Sequence, residues 1–334
     1  MDGIEVRDPL LGLIKLTKEE KEIIDKPIFQ RLRLIKQLSM AYLVYPGANH
    51  TRFEHSIGTA YISGAIAEKL GMDVEKARVY GLLHDIGHVA FSHSGEEVLN
   101  KLGISKNHEE FGEAFVDEAL KGTSFTRKEI ERAKEKKIIS FSLGSDRLDY
   151  LRRDAYYCGV YFGYVDYEHL LTNLEYKNGT ILVRESGLSN VEMLFIARYL
   201  MFFTVYLHRT VRIADAMLKR ALMEALKKGI ISIDDLIWKG DNFCLNKMAK
   251  HISTANNLLL RKLYKEVDKN TINKMNKNEY MIIKPGRVLK KEDPVLIKLR
   301  NGKIMEINEI SSLIANLSKS VKLRSRTIIA QRID

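Results

Sequence analysis

The chain has five prolines, Pro9, Pro27, Pro46, Pro285 and Pro294, and none between the third and the fourth. Proline removes a backbone donor and clashes with the preceding turn, so a proline-free middle of this length predicts a mostly helical fold. Apolar spacing agrees. Ile23, Ile24, Phe29, Leu32, Ile35 and Leu38 recur at helical intervals, and helical patterns continue through 54–71, 74–85, 108–121, 126–138 and 145–157. Residues 189–228 hold neither glycine nor proline and predict one long helix or two in line. Within them the apolar run at 194–207, which carries Arg198, is too short for a membrane span and predicts a buried core helix. Residues 1–17 read as extended, with turn signals at Asp8-Pro9 and Gly12. Asn178-Gly179 and Asn301-Gly302 each lie between strand-like runs, the pattern of a tight hairpin whose central residues need positive φ. Further strand-like runs at 295–300, 303–307 and 321–330 suggest a small β-containing lobe. The expected fold is mainly α: a helical core with a small hairpin over 1–230, then a smaller mixed α/β lobe over 231–334.

Composition narrows the function. With 45% hydrophobic and 29% charged residues, the 334-residue chain is globular and not disordered. Its net charge of +11 points to an anionic partner such as a nucleotide, nucleic acid or membrane surface, although a heat-adapted composition produces the same excess. Two cysteines, Cys158 and Cys244, exclude a disulfide framework and fit a reducing compartment. The first residues show no signal-peptide pattern, so a cytoplasmic protein with no membrane partner is expected.

The chemistry concentrates in GLLHDIGHVAFSH at 81–93, where an apolar helix end runs into His84-Asp85, His88 and His93. Adjacent side chains at a helix end can converge on one ion. TRFEHSIG puts His55 at the start of another helix, and SDRLDYLRRD supplies Asp146. Two imidazoles and two carboxylates suit one divalent metal (Mn, Fe, Ni, Zn or Mg) with positions left for water. Asp146, Tyr150 and Asp154 are spaced by four and line one helix face. On a continuous helix Arg198, Tyr206 and Arg209 fall within roughly 80° of one another, a face that could meet an anion. Each feature also has a structural reading as a capping pair, a solvated face or an internal ion pair.

The motifs together resemble a known family. RFEHSIG, LLHDIGH and SDRLDYLRRD, in that order, look like the HD-domain metal-dependent phosphohydrolases, named for His…His-Asp…Asp ligands. IIDKPIFQRLRLIKQL, VYPGANHTRFEHSIGTAYISG and HRTVRIADAML extend the similarity, over roughly 5–225, to the deoxynucleoside triphosphate triphosphohydrolases. The resemblance implies an HD-domain helical core, metal ligands His55, His84, Asp85 and Asp146, and active-site histidines His88, His93 and His108. His93 is the leading candidate for the acid. It further implies water attack at the α-phosphorus, releasing deoxynucleoside and inorganic triphosphate. Arg52, Arg147 and Arg198 match phosphate-contacting positions, with Arg147 in place of a lysine. Gln37 and Asp154 match residues that hold the sugar 3′-hydroxyl, Tyr206 the ring that crowds the 2′ position, and Tyr150 an aromatic neighbour of the sugar. Glu96 stands where the family's vertebrate member has an aspartate, and Leu207 where it has a glutamine near the base.

That vertebrate member is activated by a guanine nucleotide between subunits. Asp25, Gln30 and Arg33 match its guanine-reading residues, and Arg184 and Asn190 match others nearby, while His169 replaces an arginine. The resemblance therefore implies a GTP or dGTP activator and a homo-oligomer, dimer or tetramer. Two alternatives stay open: another HD phosphohydrolase (nucleotidase, cyclic-nucleotide phosphodiesterase or nuclease), and a nucleotide-sensing or nucleic-acid-binding protein that uses the basic charge.

Overall fold

The computed structural model describes residues 4–104, 108–135, 137–268, 280–284, 294–317 and 326–331. The fold is mainly helical, as expected. Strands β1 (Ile4–Asp8) and β2 (Gly12–Leu16) form an antiparallel hairpin, whose turn is closed by Asp8 Oδ1 accepting from the N–H groups of Leu10 and Leu11. Thr17 and Glu20 make a capping box that starts α1 (Lys18–Ile24), and Pro27 occupies the first turn of α2 (Pro27–Gln30).

The central helix is α3 (Arg52–Leu70), opened by a Thr51–Glu54 capping box and stopped by left-handed Gly71. Beside it lies α4 (Val74–Leu83); the approach is so close that a Cβ on Gly81 would sit 2.6 Å from Ala60 Cα. Helices α5 (Ser92–Lys101), α6 (His108–Leu120) and α7 (Arg127–Glu135) follow, and α8 (Ser145–Cys158) packs along α3 and ends at left-handed Gly159. Then come α9 (Tyr167–Thr172) and the hairpin of β3 (Leu174–Lys177) and β4 (Thr180–Arg184). Its turn residues Asn178 and Gly179 both have positive φ, as the dipeptide predicted.

Residues 189–228 are not one continuous helix. α10 (Leu188–Met201) passes into a single π-helical turn, Phe202–Tyr206, and α11 (Arg209–Lys227) starts afresh after His208. The change of phase removes Arg209 from the face of Arg198 and Tyr206; it is exposed and pairs with Glu266. Only one face of this apolar segment is in the core, through Val191, Leu194, Ala197, Met201 and Val205. The stretch Glu185–Tyr206 is long and apolar enough to cross a membrane, and 28% of its most apolar window is buried inside the chain. The expected core helix is therefore half surface.

Packing runs across residue 230. α12 (Ile233–Trp238), α13 (Gly240–Ala249) and α14 (Ser253–Leu259) share one apolar cluster with α11 and with Val89, Phe91 and Val98 beside the candidate site. The short strands β5 (Lys265–Glu266) and β6 (Tyr280–Ile283) flank a later strand of the same sheet. β7 (Leu296–Lys298) pairs in parallel with β4 and antiparallel with β8 (Ile304–Glu306), so the second hairpin extends the first one's sheet. Asn301-Gly302 does not form the expected two-residue turn. Only Gly302 has positive φ; Gly302 N–H donates to Leu299 O and Leu299 N–H to Lys303 O, a three-residue loop with glycine at the left-handed position. α15 (Ile307–Ile310) follows, and β9 (Ile328–Gln331) lies between β5 and β6.

Candidate metal centre and active site

Three elements converge at one end of α3. His55 stands on its first turns, His84 caps the C-terminus of α4 with Asp85 next in sequence, and Asp146 lies in the first turn of α8. His55 Nδ1 donates to Asp149 Oδ2 at 2.8 Å and His84 Nδ1 to Gly81 O at 2.7 Å. These bonds fix the ring protons on Nδ1 and leave both Nε2 atoms as lone pairs, 3.3 Å apart. Asp146 Oδ1 lies 3.2 Å and Asp85 Oδ2 3.6 Å from His55 Nε2. Burial alone would push His55 down, but the carboxylates of Asp146, Asp149 and Asp85 outweigh it and raise the ring to about 10. Burial also opposes the charge on Asp85, yet His84 and Arg52 hold its carboxyl well below the usual range. Two imidazole Nε2 atoms and two carboxylates converging on one point make the donor set of a divalent-cation site.

The support beneath these ligands is itself charged and buried. Asp149 takes Arg153 in a two-point pair, Nε to Oδ2 at 2.8 Å and Nη2 to Oδ1 at 2.7 Å. Arg153, fully buried, spends Nη1 on Asp8 Oδ2 at 2.7 Å, which ties the N-terminal hairpin to the candidate metal ligands. Gly58 leaves the room: a Cβ there would lie 2.0 Å from Asp149 Oδ1. From the other side, Arg31 is buried and donates from Nη1 to His88 O at 2.6 Å and from Nη2 to Ile86 O, holding the turn after His84 by its carbonyls.

His88, His93 and Glu96 form a second group. Glu96 touches Nδ1 of both rings, through Oε1 to His88 and through Oε2 to His93 at 3.3 Å. His88 is fully buried, with Nε2 3.3 Å from Asp85 Oδ1. Burial first, then the charge of Arg52, push His88 down to about 4 against the pull of Asp85 and Glu96. His93 is the exposed member, with 72% of its side chain accessible and the ring facing the cavity. The side chain of His108, at the start of α6, lies outside the described residues.

A cavity of about 720 Å³ opens onto these groups, lined among others by Gln37, Arg52, His93, Asp146, Tyr150 and Tyr206. On one wall Tyr206 OH donates to Asp154 Oδ2 at 2.6 Å, and His50 Nε2 donates to Asp154 Oδ1 at 2.7 Å. Gln37 Oε1 is buried with no hydrogen-bond partner among the described residues. Arg52 reaches Asp85 Oδ2 at 2.5 Å. Arg198 is buried beside Arg147 and Tyr150; burial and the Arg147 charge lower it to about 10. Arg147 donates from Nη1 to Ser142 O at 2.6 Å. Two guanidinium groups brought together in this way favour an anion between them.

This geometry has close counterparts. A hypothetical protein from Aquifex aeolicus, solved by crystallography, is 31% identical and superposes with a TM-score of 0.85, covering 99% of this chain and 96% of that one. The HD domain model matches residues 52–154 and the HD associated region matches 165–295. The chain belongs to the HD-domain family. A phosphohydrolase from Bacteroides thetaiotaomicron shares the HD fold at TM-score 0.80 and 24% identity, covering 98% of this chain and 99% of its own. Among curated proteins, an uncharacterized protein of Methanocaldococcus jannaschii is 43% identical over 69% of this chain and 52% of its own length. The human deoxynucleoside triphosphate triphosphohydrolase SAMHD1 is 29% identical over 66% and 44%. The chain spans about half the length of the first curated relatives it matches.

Within the HD frame, the residues expected at a regulatory site form two groups on separate elements. Arg33 stacks over Phe53 and donates to Gln30 Oε1 at 2.8 Å, while Asp25 is exposed and lies 4.0 Å from Lys21 Nζ. Arg184 donates to Thr172 O, while Asn190 Oδ1 meets His169 Nδ1 at 2.7 Å. Sequence reasoning missed Asp8, Arg31, His50, Gly58, Asp149 and Arg153. Asp149 had the best signal, three residues after Asp146 on the same helix face.

Proposed function

We propose that this HD protein is a metal-dependent deoxynucleoside triphosphate triphosphohydrolase. The observation that carries the reading is the cavity wall of Asp154 joined to Tyr206 with the unpartnered Gln37 Oε1 nearby, beside the metal centre. Such a wall offers hydrogen bonds to a sugar hydroxyl and a ring where a 2′-hydroxyl would sit. A relative that carries this activity in its name supports the reading.

A divalent cation held by His55, His84, Asp85 and Asp146 would stabilise charge developing at the α-phosphate. Arg52, Arg147 and Arg198 supply positive charge for the phosphate chain. Water forms the new bond to the α-phosphorus, the bond to the 5′-oxygen breaks, His93 donates a proton to that oxygen, and the proton the water loses returns through solvent to restore His93. Glu96, touching Nδ1 of His93, orients its Nε2 for this step. His93→Ala is expected to keep the metal and lower kcat by about 10²-fold; unchanged turnover would remove His93 from this role. Tyr206→Ala is expected to raise the rate on ATP relative to dATP by about tenfold, read from parallel kcat/KM measurements. An unaltered ratio would dismiss the 2′ assignment.

The same reading includes a homo-oligomer and activation by GTP or dGTP through Asp25, Gln30 and Arg33 with Arg184 and Asn190. Hydrolysis of dATP that is indifferent to GTP across concentrations would end that part alone. The deciding experiment is product chromatography after incubating Mn²⁺-loaded protein with dNTPs and rNTPs. Deoxynucleoside with inorganic triphosphate is expected; monophosphate with pyrophosphate would replace this reaction with another HD hydrolysis.

A further inference from the structure

One buried acid beside the site takes no part in the chemistry above. Asp241 is the second residue of α13, beyond residue 230, and is 2% exposed. Its Oδ1 accepts the N–H of Phe91 at 2.6 Å and its Oδ2 the N–H of Lys36 at 2.9 Å. Gln37 follows Lys36 directly, and His93 stands two residues after Phe91. Phe91 and Ser92 are both left-handed, φ 65° and 51°, a conformation that two successive non-glycine residues hold only when their surroundings over-determine it. Ser92 Oγ donates to Lys36 O at 2.7 Å and accepts from Arg52 Nε at 3.0 Å, and Arg52 in turn meets Asp85. Gly240 permits the approach of α13, since a Cβ there would lie 2.5 Å from Leu34 O.

We propose that Asp241 is a positioning residue: its carboxylate locks the corner presenting His93 to the segment presenting Gln37, and thereby holds Arg52 against Asp85. This rests on the HD cavity being the hydrolytic site, not on which nucleotide it takes. Both oxygens are aimed at main-chain donors of two separate segments, which a space-filling acid has no need to do. Burial pushes this carboxyl up to about 6, against the two N–H donors and the charges of Lys36 and Arg52. Among the described residues Tyr42 and Cys244 also feel its charge.

The test compares the full Mn²⁺-loaded chain with Asp241→Asn, which keeps the volume and turns one acceptor into a donor. Expected are a kcat on dATP lowered about 10–100-fold, KM within about threefold, wild-type manganese content and faster amide exchange across residues 88–94. A second arm uses the unaltered protein: exchange of the Lys36 and Phe91 amides, corrected for intrinsic rate, should accelerate as pH falls from about 7 to about 5. Unchanged kcat, manganese lost in step with activity, or exchange indifferent to both changes would overturn the proposal. The exchange arms need no substrate, so a protein that leaves dNTPs intact still decides it, as does one whose variant does not fold.

Discussion

Asp146→Ala is expected to yield a folded protein that loses its metal and slows hydrolysis by roughly 10³-fold or more. Asp146 Oδ1 is 3.2 Å from His55 Nε2 and 3.9 Å from His84 Nε2, so its removal opens the ligand set without touching the core around α3. Metal analysis after gel filtration, together with a melting curve, checks both halves. Wild-type metal content in an inactive variant would make Asp146 a reacting group and not a ligand. Chelation of the wild-type protein should reproduce the loss, and added Mn²⁺ should reverse it only where Asp146 is present.

The second large effect is on stability. Arg153→Met leaves Asp149 ionised and buried without its two-point partner, which typically costs about 3–5 kcal/mol. For a chain of this size that is a fall in melting temperature on the order of 10 °C. Because Asp149 also orients His55, metal affinity should drop about 10–100-fold in the same variant. A melting temperature within a degree or two of wild type would show that Arg153 is not what compensates the buried carboxylate. Double substitution with Asp149→Asn should recover part of the stability but not the metal affinity, because the ring of His55 then loses its anionic acceptor.

Much of this was legible from residues alone, and the exceptions share a cause. The helices around the centre begin and end close to where periodicity and caps place them, since Thr51, Gly71 and Gly159 act locally. The interruption at Phe202–His208 has no glycine or proline to announce it. It is set by tertiary contacts: Tyr206 is held by Asp154, and Tyr45 OH donates to Thr204 O. The candidate metal ligands could be read because two of them are adjacent and all sit in motifs of fixed spacing. Asp149 and Arg153 belong to the same motif but read as charged residues on a solvated face, and only their burial reveals a support. Asp241 carries no local signal at all, because its partners are backbone groups some 150 and 200 residues away.

The parallel pairing of β4 with β7 bears on how the chain is made. β4 gains its second neighbour only when Leu296 to Lys298 arrive, roughly a hundred residues later, and translation at about 5–20 residues per second takes on the order of ten seconds to deliver them. Until then that side of β4 has an open row of strand N–H and C=O groups, the kind of edge on which another chain can pair. Chains ending between Arg184 and Val295 therefore lack the strand that covers this edge of β4 in the folded sheet.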